Sequence, residues 1–421
     1  MAGPIFAVIG GILLAVGILW EAFETIVLPR RATRRFRFTR LFYRSTWYPW
    51  RAIAHAMGRS KSRETFLSYF GPLSLLFLFV FWGAGIIVAF GLLYYGFGGH
   101  GTIVTTERST RDFLDSLYFS GTTFFTLGLG DITPHGWPQR LLAVIESGLG
   151  FGFLALVFSY LPVIYQAFSR REVNIVLLDS RAGSPPTAFE LVRRHPGPQG
   201  WSELQQLLRE WERGSADILE SHVSYPVVAY FRSQHNNESW VAALAAILDT
   251  SALLIAGISG FHQPMAGAMG SESVAMSDQG GGTTAGQKAV EAKLAKMSCA
   301  RQARLTFAMC RHTVVDLAQV FNIAPRLRAE RLPEAELERL RSALAKEGFV
   351  LRDSAETNEK LSKLRAMYEP YLEALGAFLV IDVPPWILAG EVIENWRTSA
   401  WGRISGFSPS RESVSAGDDH D

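Results

Sequence analysis

Apolar residues are gathered into three long runs, from about Pro4 to Pro29, Leu67 to Phe97 and Leu141 to Phe168. Roughly 20 consecutive apolar residues cross the hydrocarbon of a bilayer, so each run predicts a membrane-spanning helix. The first is read as a retained span rather than a signal peptide. No Lys or Arg precedes it and no small-x-small cleavage site follows. Glu21 and Glu24, near its end, are expected to reach the interface or to pair with an arginine, because unpaired carboxylates are costly at depth. A shorter apolar stretch, Phe113 to Phe125, cannot cross and predicts a re-entrant segment between the second and third spans.

After Ser169 the pattern becomes that of a water-facing helical domain. The periodicity predicts helices over 201–211, 216–233 (broken at Pro226), 239–258, 286–321, 334–347 and 355–380. The run Val241 to Ile258 is apolar enough for a fourth span. Asp249, and the wrong-side placement of whatever follows, instead predict a buried helix of an all-α domain. The run Val173 to Asp179 is followed by Ser-Arg-Ala-Gly-Ser-Pro-Pro-Thr rather than Gly-x-Gly-x-x-Gly, which argues against a dinucleotide site. Ser184 to Thr187 reads as a turn and cap for a helix from Ala188. The resulting division is a transmembrane helix over 1–29, a basic segment over 30–66 and a two-span region with its re-entrant segment over 67–170. A linker over 171–200 follows, then a helical domain over 201–405 and a tail over 406–421. Residues 263–286 and the tail lack periodicity and are predicted to be disordered.

Charge placement orients these spans. Arg30, Arg31, Arg34, Arg35, Arg37, Arg40, Arg44, Arg51, Arg59, Lys61 and Arg63 lie between the first two, and Arg170 and Arg171 follow the third. The positive-inside rule makes both flanks cytoplasmic, which puts the N-terminus and the re-entrant segment outside and everything after Ser169 inside. Arg31, Arg34, Arg37 and Arg40 recur at every third position, but with a single helix before them no four-helix voltage sensor can form. The segment reads as a basic amphipathic helix on anionic inner-leaflet lipid, with Phe36, Phe38, Leu41, Phe42, Trp47, Tyr48 and Trp50 as apolar and interfacial contacts.

The chain is 48% apolar and 19% charged, which fits a membrane part joined to a soluble part. Its net charge of +2 supplies no global field toward nucleic acid. Cys299 and Cys310 make no disulfide framework, and with His222, His235 and His312 they are spread over different segments, so no metal site is expected. No serine–histidine–acid order, P-loop or carboxylate pair stands out, and no enzyme activity or cofactor is expected.

The re-entrant region reads Ser116-Leu-Tyr-Phe-Ser-Gly-Thr-Thr-Phe-Phe-Thr-Leu-Gly-Leu-Gly-Asp-Ile-Thr-Pro134. Over about residues 70 to 170 the chain resembles the potassium channel family in its two-helix-plus-pore-loop form. The family signature Thr-Val-Gly-Tyr-Gly-Asp is matched at Thr126, Gly128, Gly130 and Asp131, with Leu127 for valine and Leu129 for tyrosine. The resemblance implies a membrane α-helical fold with an outer helix, pore helix, filter and inner helix. To these the chain adds an N-terminal helix and an all-α cytoplasmic domain. It also implies a homotetramer in the plasma membrane whose filter, Thr126 to Gly130, passes K+ as permeant ion. Tyr118 and Phe119 would form a cuff around the filter, with Asp131 and Thr122 behind it.

The residues support that reading physically. An extended strip turns successive carbonyls to one axis only if alternate residues adopt dihedrals that L-side chains resist, which Gly128 and Gly130 permit. Four copies would stack rings of oxygens that replace the ion's water shell. Leu129 removes the tyrosine hydroxyl but leaves these backbone rings intact. In the third span Gly148, Gly150 and Gly152 allow either bending or close packing, and Pro162 favours a kink; in the family such bending opens the cytoplasmic entrance. Glu146 is an intramembrane carboxylate with no partner named by the sequence. The expectation is a potassium channel regulated through its cytoplasmic domain. A non-selective monovalent cation channel, or a membrane-anchored scaffold with a silent pore, is the alternative.

Overall fold

The computed structural model describes residues 2–26, 38–97, 103–105, 112–233, 238–260, 281–326 and 330–390. Arg30, Arg31, Arg34, Arg35, Phe36, Arg37, His235, residues 263–280 and the tail 406–421 lie outside the described residues. The chain forms two units, one from 1–170 with 217–232, the other from 171–216 with 233–421.

In the first unit, helices α1 (Ala2–Ile26) and α3 (Lys61–Phe97) and the first part of α5 (Trp137–Ala182) carry the three apolar runs. All three helices are long and apolar enough to cross a membrane. Between them lie α2 (Phe38–Ala56), strand β1 (Ile103–Thr105), α4 (Phe113–Phe124) and strand β2 (Ile132–Pro134). Helix α1 packs along α3 with little side chain between the backbones. A Cβ on Gly11 would lie 2.7 Å from the Ala89 carbonyl. Small residues allow such approach where no water-driven force joins the helices. Glu21 pairs with the start of α2, accepting from the Thr39 backbone N–H at 2.8 Å and the Thr39 hydroxyl at 2.6 Å. Among the described residues its partner is thus a helix N-terminus, whose unsatisfied N–H groups favour a carboxylate.

Helix α2 is amphipathic, as predicted, but its indoles turn inward. Trp47 is buried against Phe70 and Tyr230, with ring centroids 4.7 and 5.0 Å apart. Trp50 stacks on Phe66 at 4.3 Å. Phe38, Leu41, Tyr48 and Ile53 remain exposed. Helix α3 starts at Lys61 rather than Leu67, because Lys61 to Phe66 contains no breaker. The third helix was expected to end near Phe168 and give way to a linker. It instead runs unbroken for 46 residues to Ala182. No Gly or Pro intervenes after Pro162 until Gly183, whose φ of +77° turns the chain.

The second unit takes up the end of α5, α6 (Ala188–Arg193) and most of α7 (Gly197–Ser224), which is continuous where two helices were predicted. A 3-10 turn over Pro226–Tyr230 belongs to the first unit, where Phe231 meets Gly71 of α3. At the centre of the second unit α8 (Trp240–Ala256) is buried on all sides, which explains its uniform apolarity without a fourth span. Ser239 caps it by accepting from the Ala242 N–H at 3.0 Å. Around it lie β3 (Ile258–Gly260), α9 (Gly281–Val320), α10 (Glu334–Lys346), β4 (Phe349–Leu351), α11 (Ala355–Ala366) and α12 (Glu369–Leu379). The antiparallel β3–β4 ribbon pairs Ile258 with Leu351 and was not predicted in a domain read as all-α. Helix α9 begins at Gly281, inside the segment predicted to be disordered. The predicted helix over 355–380 is split at Met367–Tyr368, next to Pro370.

Asp249 is 1% exposed and accepts two N–H bonds from Arg331, at 3.1 and 2.7 Å, and the Tyr368 hydroxyl at 2.5 Å. Arg331 also meets Glu369, which holds Arg365 at 3.2 Å. Arg171, which follows the third apolar run, is 2% exposed and pairs with Glu172 at 3.0 Å. His222 is satisfied by the Ile218 carbonyl at 2.7 Å, and His312 faces Asp316 at 3.5 Å.

Removing one partner from a buried pair strands the other charge. Arg331→Met is therefore expected to destabilise the second unit by about 3–5 kcal/mol, read in a denaturant titration of the full chain. Burial pushes the thiols of Cys299 and Cys310 up to about 12. Maleimide at neutral pH should leave both unlabelled in the folded protein and label both after denaturation.

Candidate ion filter

The short helix α4 begins at Asp112, whose carboxylate accepts from the Leu114 N–H at 3.3 Å. Twelve residues at 1.5 Å each give a rod of roughly 18 Å, too short to cross, as its sequence implied. Its C-terminal end is closed by two hydrogen bonds. The Thr126 N–H reaches the Thr123 carbonyl at 3.0 Å, and the Leu127 N–H reaches the Thr122 carbonyl at 2.8 Å. This 5→2 and 6→1 pair is a Schellman motif, which needs a left-handed residue just past the helix. Thr126 fills that place with φ +54°, where glycine or asparagine is usual.

The left-handed turn does not stop there. Thr126, Gly128 and Gly130 have φ of +54°, +59° and +80°, while Leu127 and Leu129 between them stay at negative φ. Alternation of this kind lets successive carbonyls share one side of an extended strip. The sequence anticipated it at the glycines but not at Thr126. Nothing lies within 4 Å of a Cβ built on Gly128 or Gly130, so the glycines answer a dihedral requirement, not a steric one. Leu127 and Leu129 are 60% and 62% exposed on the single chain.

Beyond the strip, Asp131 accepts from the Ile132 N–H at 3.1 Å and lies near the Tyr118 hydroxyl of α4. Tyr118 thus stands beside the end of the strip. Phe119 does not join it. It is buried and meets Tyr94 of α3 edge-on, with centroids 4.9 Å apart. Thr122, expected behind the filter beside Asp131, instead bonds the Phe119 carbonyl at 2.9 Å within α4. The chain leaving the strip pairs as β2 with β1, Thr133 opposite Val104, a ribbon the sequence did not announce.

Three helices meet behind the strip. Glu146 of α5 is fully buried, 2.7 Å from the Tyr94 hydroxyl of α3 and 2.5 Å from the Ser120 hydroxyl of α4. Ser120 also lies 2.8 Å from the Ile87 carbonyl of α3. Tyr94 and Ser120 were missed in the sequence. The signal was Glu146 itself, since a carboxylate in a membrane helix demands a polar partner. Of the inner-helix glycines, Gly150 is the one in close approach: a Cβ there would overlap the Phe124 carbonyl at the end of α4. Gly148 and Gly152 meet nothing within 4 Å in the chain, and Pro162 sits within the continuous α5.

Gly150→Ala is expected to force α5 and α4 apart and cost about 1–3 kcal/mol of stability in detergent. Gly148→Ala, as the control, should leave the melting temperature of the subunit unchanged.

Residues 75–166 match a family described as "Ion channel" (Ion_trans_2), an ion-channel and not an enzyme family. The chain is also 25% identical over 200 residues to the "Uncharacterized membrane protein YdjJ" of Bacillus subtilis (strain 168). That alignment covers 47% of this chain and 57% of the relative's own length. No solved structure matches. The matched residues take in most of α3, all of α4, the strip with alternating dihedrals and the membrane part of α5. Over residues 75–166 this membrane protein is therefore similar to an ion-channel family.

Proposed function

We propose that four copies of this chain surround one axis and form a potassium-selective channel of the cell's inner membrane. The observation that carries this reading is the alternation of left-handed dihedrals at Thr126, Gly128 and Gly130. Repeated four times, it supplies stacked carbonyl rings of the kind that replace a potassium ion's hydration shell. The Thr126 hydroxyl adds a ring at the inner end, and the C-terminal end of α4 directs its partial negative charge toward the ion path. Asp131, near the Tyr118 hydroxyl, marks the outer mouth. The arginine-rich stretch between α1 and α3 and the residues after α5 face the cytoplasm, which puts the N-terminus and the strip's exit outside. Helix α2, with Phe38, Leu41 and Ile53 exposed beside basic residues, rests on anionic inner-leaflet lipid. Bending of α5 at Pro162 gates the inner entrance, and the second unit passes it a cytoplasmic signal.

Leu129 favours a second reading, a non-selective monovalent cation channel on the same scaffold, because the tyrosine hydroxyl that braces the family's filter is absent in all four copies.

In planar bilayers, purified protein under a potassium/sodium gradient is expected to reverse near the potassium equilibrium potential. Reversal near zero would reject selectivity and favour the second reading. Gly130→Ala, which puts a side chain at φ +80°, should strain the strip by about 1–3 kcal/mol and abolish current. Current that persists in that variant would sink the filter assignment.

A further inference from the structure

The contacts around Glu146 fix more than a position, because they can be counted in protons. Three oxygen–oxygen contacts join α3, α4 and α5: Tyr94 to Glu146 at 2.7 Å, Ser120 to Glu146 at 2.5 Å and Ser120 to the Ile87 carbonyl at 2.8 Å. Each lies within the O–H···O range, so each holds one hydrogen between its oxygens. A carbonyl and a carboxylate bring none, and tyrosine and serine bring one apiece. Two protons cannot serve three contacts. Splitting the serine proton between two acceptors would lengthen both, and neither is long.

We infer that Glu146 is a neutral carboxylic acid whose own proton completes this three-helix junction and positions the pore helix against its neighbours. In that arrangement Glu146 Oε1 donates to Ser120 Oγ, Ser120 donates to the Ile87 carbonyl, and Tyr94 donates to Glu146 Oε2. Every polar atom of the junction is satisfied, and the junction itself carries no net charge. The groups bonded to the carboxyl are Tyr94 from α3 and Ser120 from α4. Among the described residues no arginine, lysine or histidine bonds to it. An ionised carboxylate here would have only neutral hydroxyls to face, and it would leave Ser120 pressed against two acceptors with one hydrogen. Ser120 stands six residues before Thr126, about 9 Å along the chain if helical, so this junction sets where the strip begins. Glu146 is a positioning residue in this scheme, since nothing in it touches the ion.

Glutamine and aspartate separate this assignment from a need for negative charge. Glu146→Gln reproduces the neutral acid, its amide N–H₂ donating to Ser120 and its carbonyl accepting from Tyr94. It should keep wild-type conductance and reversal potential, whereas Glu146→Asp, which keeps the carboxyl but shortens the arm, should lose current. The opposite order, with aspartate active and glutamine silent, would overturn the proposal. Only these current readouts rest on the channel reading. Infrared spectra of the intact wild-type protein test the proton directly: a protonated-carboxyl stretch should be present at neutral pH, vanish in Glu146→Gln and move to higher frequency in Tyr94→Phe. Absence of such a band overturns the assignment whether or not the protein conducts. Wild-type protein that shows the band and passes no current would count against the channel and leave the protonated junction standing.

Discussion

Hydrocarbon offers nothing to a backbone N–H or C=O, so every peptide group in a spanning segment must find a partner inside the protein. Helices α1, α3 and the apolar part of α5 meet that demand along their own axes. The strip from Thr126 to Asp131 is the departure, and much of the first unit serves to make the departure tolerable. Its start is fixed by the Schellman closure of α4 and its end by the β1–β2 ribbon. Between those anchors the peptide groups are free to turn in alternation. The strain concentrates at Thr126, where a left-handed threonine costs about 1–2 kcal/mol. The two hydrogen bonds that close the helix beside it offset that cost.

Because α4 does not span, its depth and tilt cannot be set by interfacial ends. They are set from the side. Gly150 lets α5 reach the Phe124 carbonyl, and the Glu146 junction binds Ser120 to both neighbouring helices. Polar groups placed this deep are individually expensive, which is why each is fully engaged. The same economy appears at Glu21, where the start of α2 supplies the donors.

The two units each bury a carboxyl on a helix, and their surroundings lead to different chemistry. Asp249 faces a guanidinium and a phenol in a cluster that also holds Glu369 and Arg365, so charge answers charge. Glu146 faces two hydroxyls, one of which also reaches a backbone carbonyl. With no counter-charge in contact, the acid is completed by its own proton instead. A carboxyl group therefore serves as an ionic tie in one unit and as a neutral bridge in the other.

Much of the pore region was legible in sequence because its determinants are local. Apolar length predicted three spans, a mostly apolar stretch too short to cross predicted a re-entrant helix, and paired glycines predicted the dihedral alternation. Asp249 within an apolar run separated a buried helix from a fourth span for the same reason. What the sequence could not specify were contacts between segments far apart in the chain. Glu146 stood out as an intramembrane carboxylate, but Tyr94 and Ser120 are unremarkable singly, and Tyr94 and Glu146 are 52 positions apart. Thr122 was placed behind the filter by analogy, yet its hydroxyl turns to its own helix. The β3–β4 ribbon and the Arg331 cluster likewise depend on which segments meet. Periodicity, length and glycine spacing act within a few residues and so determine elements. Which polar groups satisfy one another once water is excluded is decided only when those elements pack.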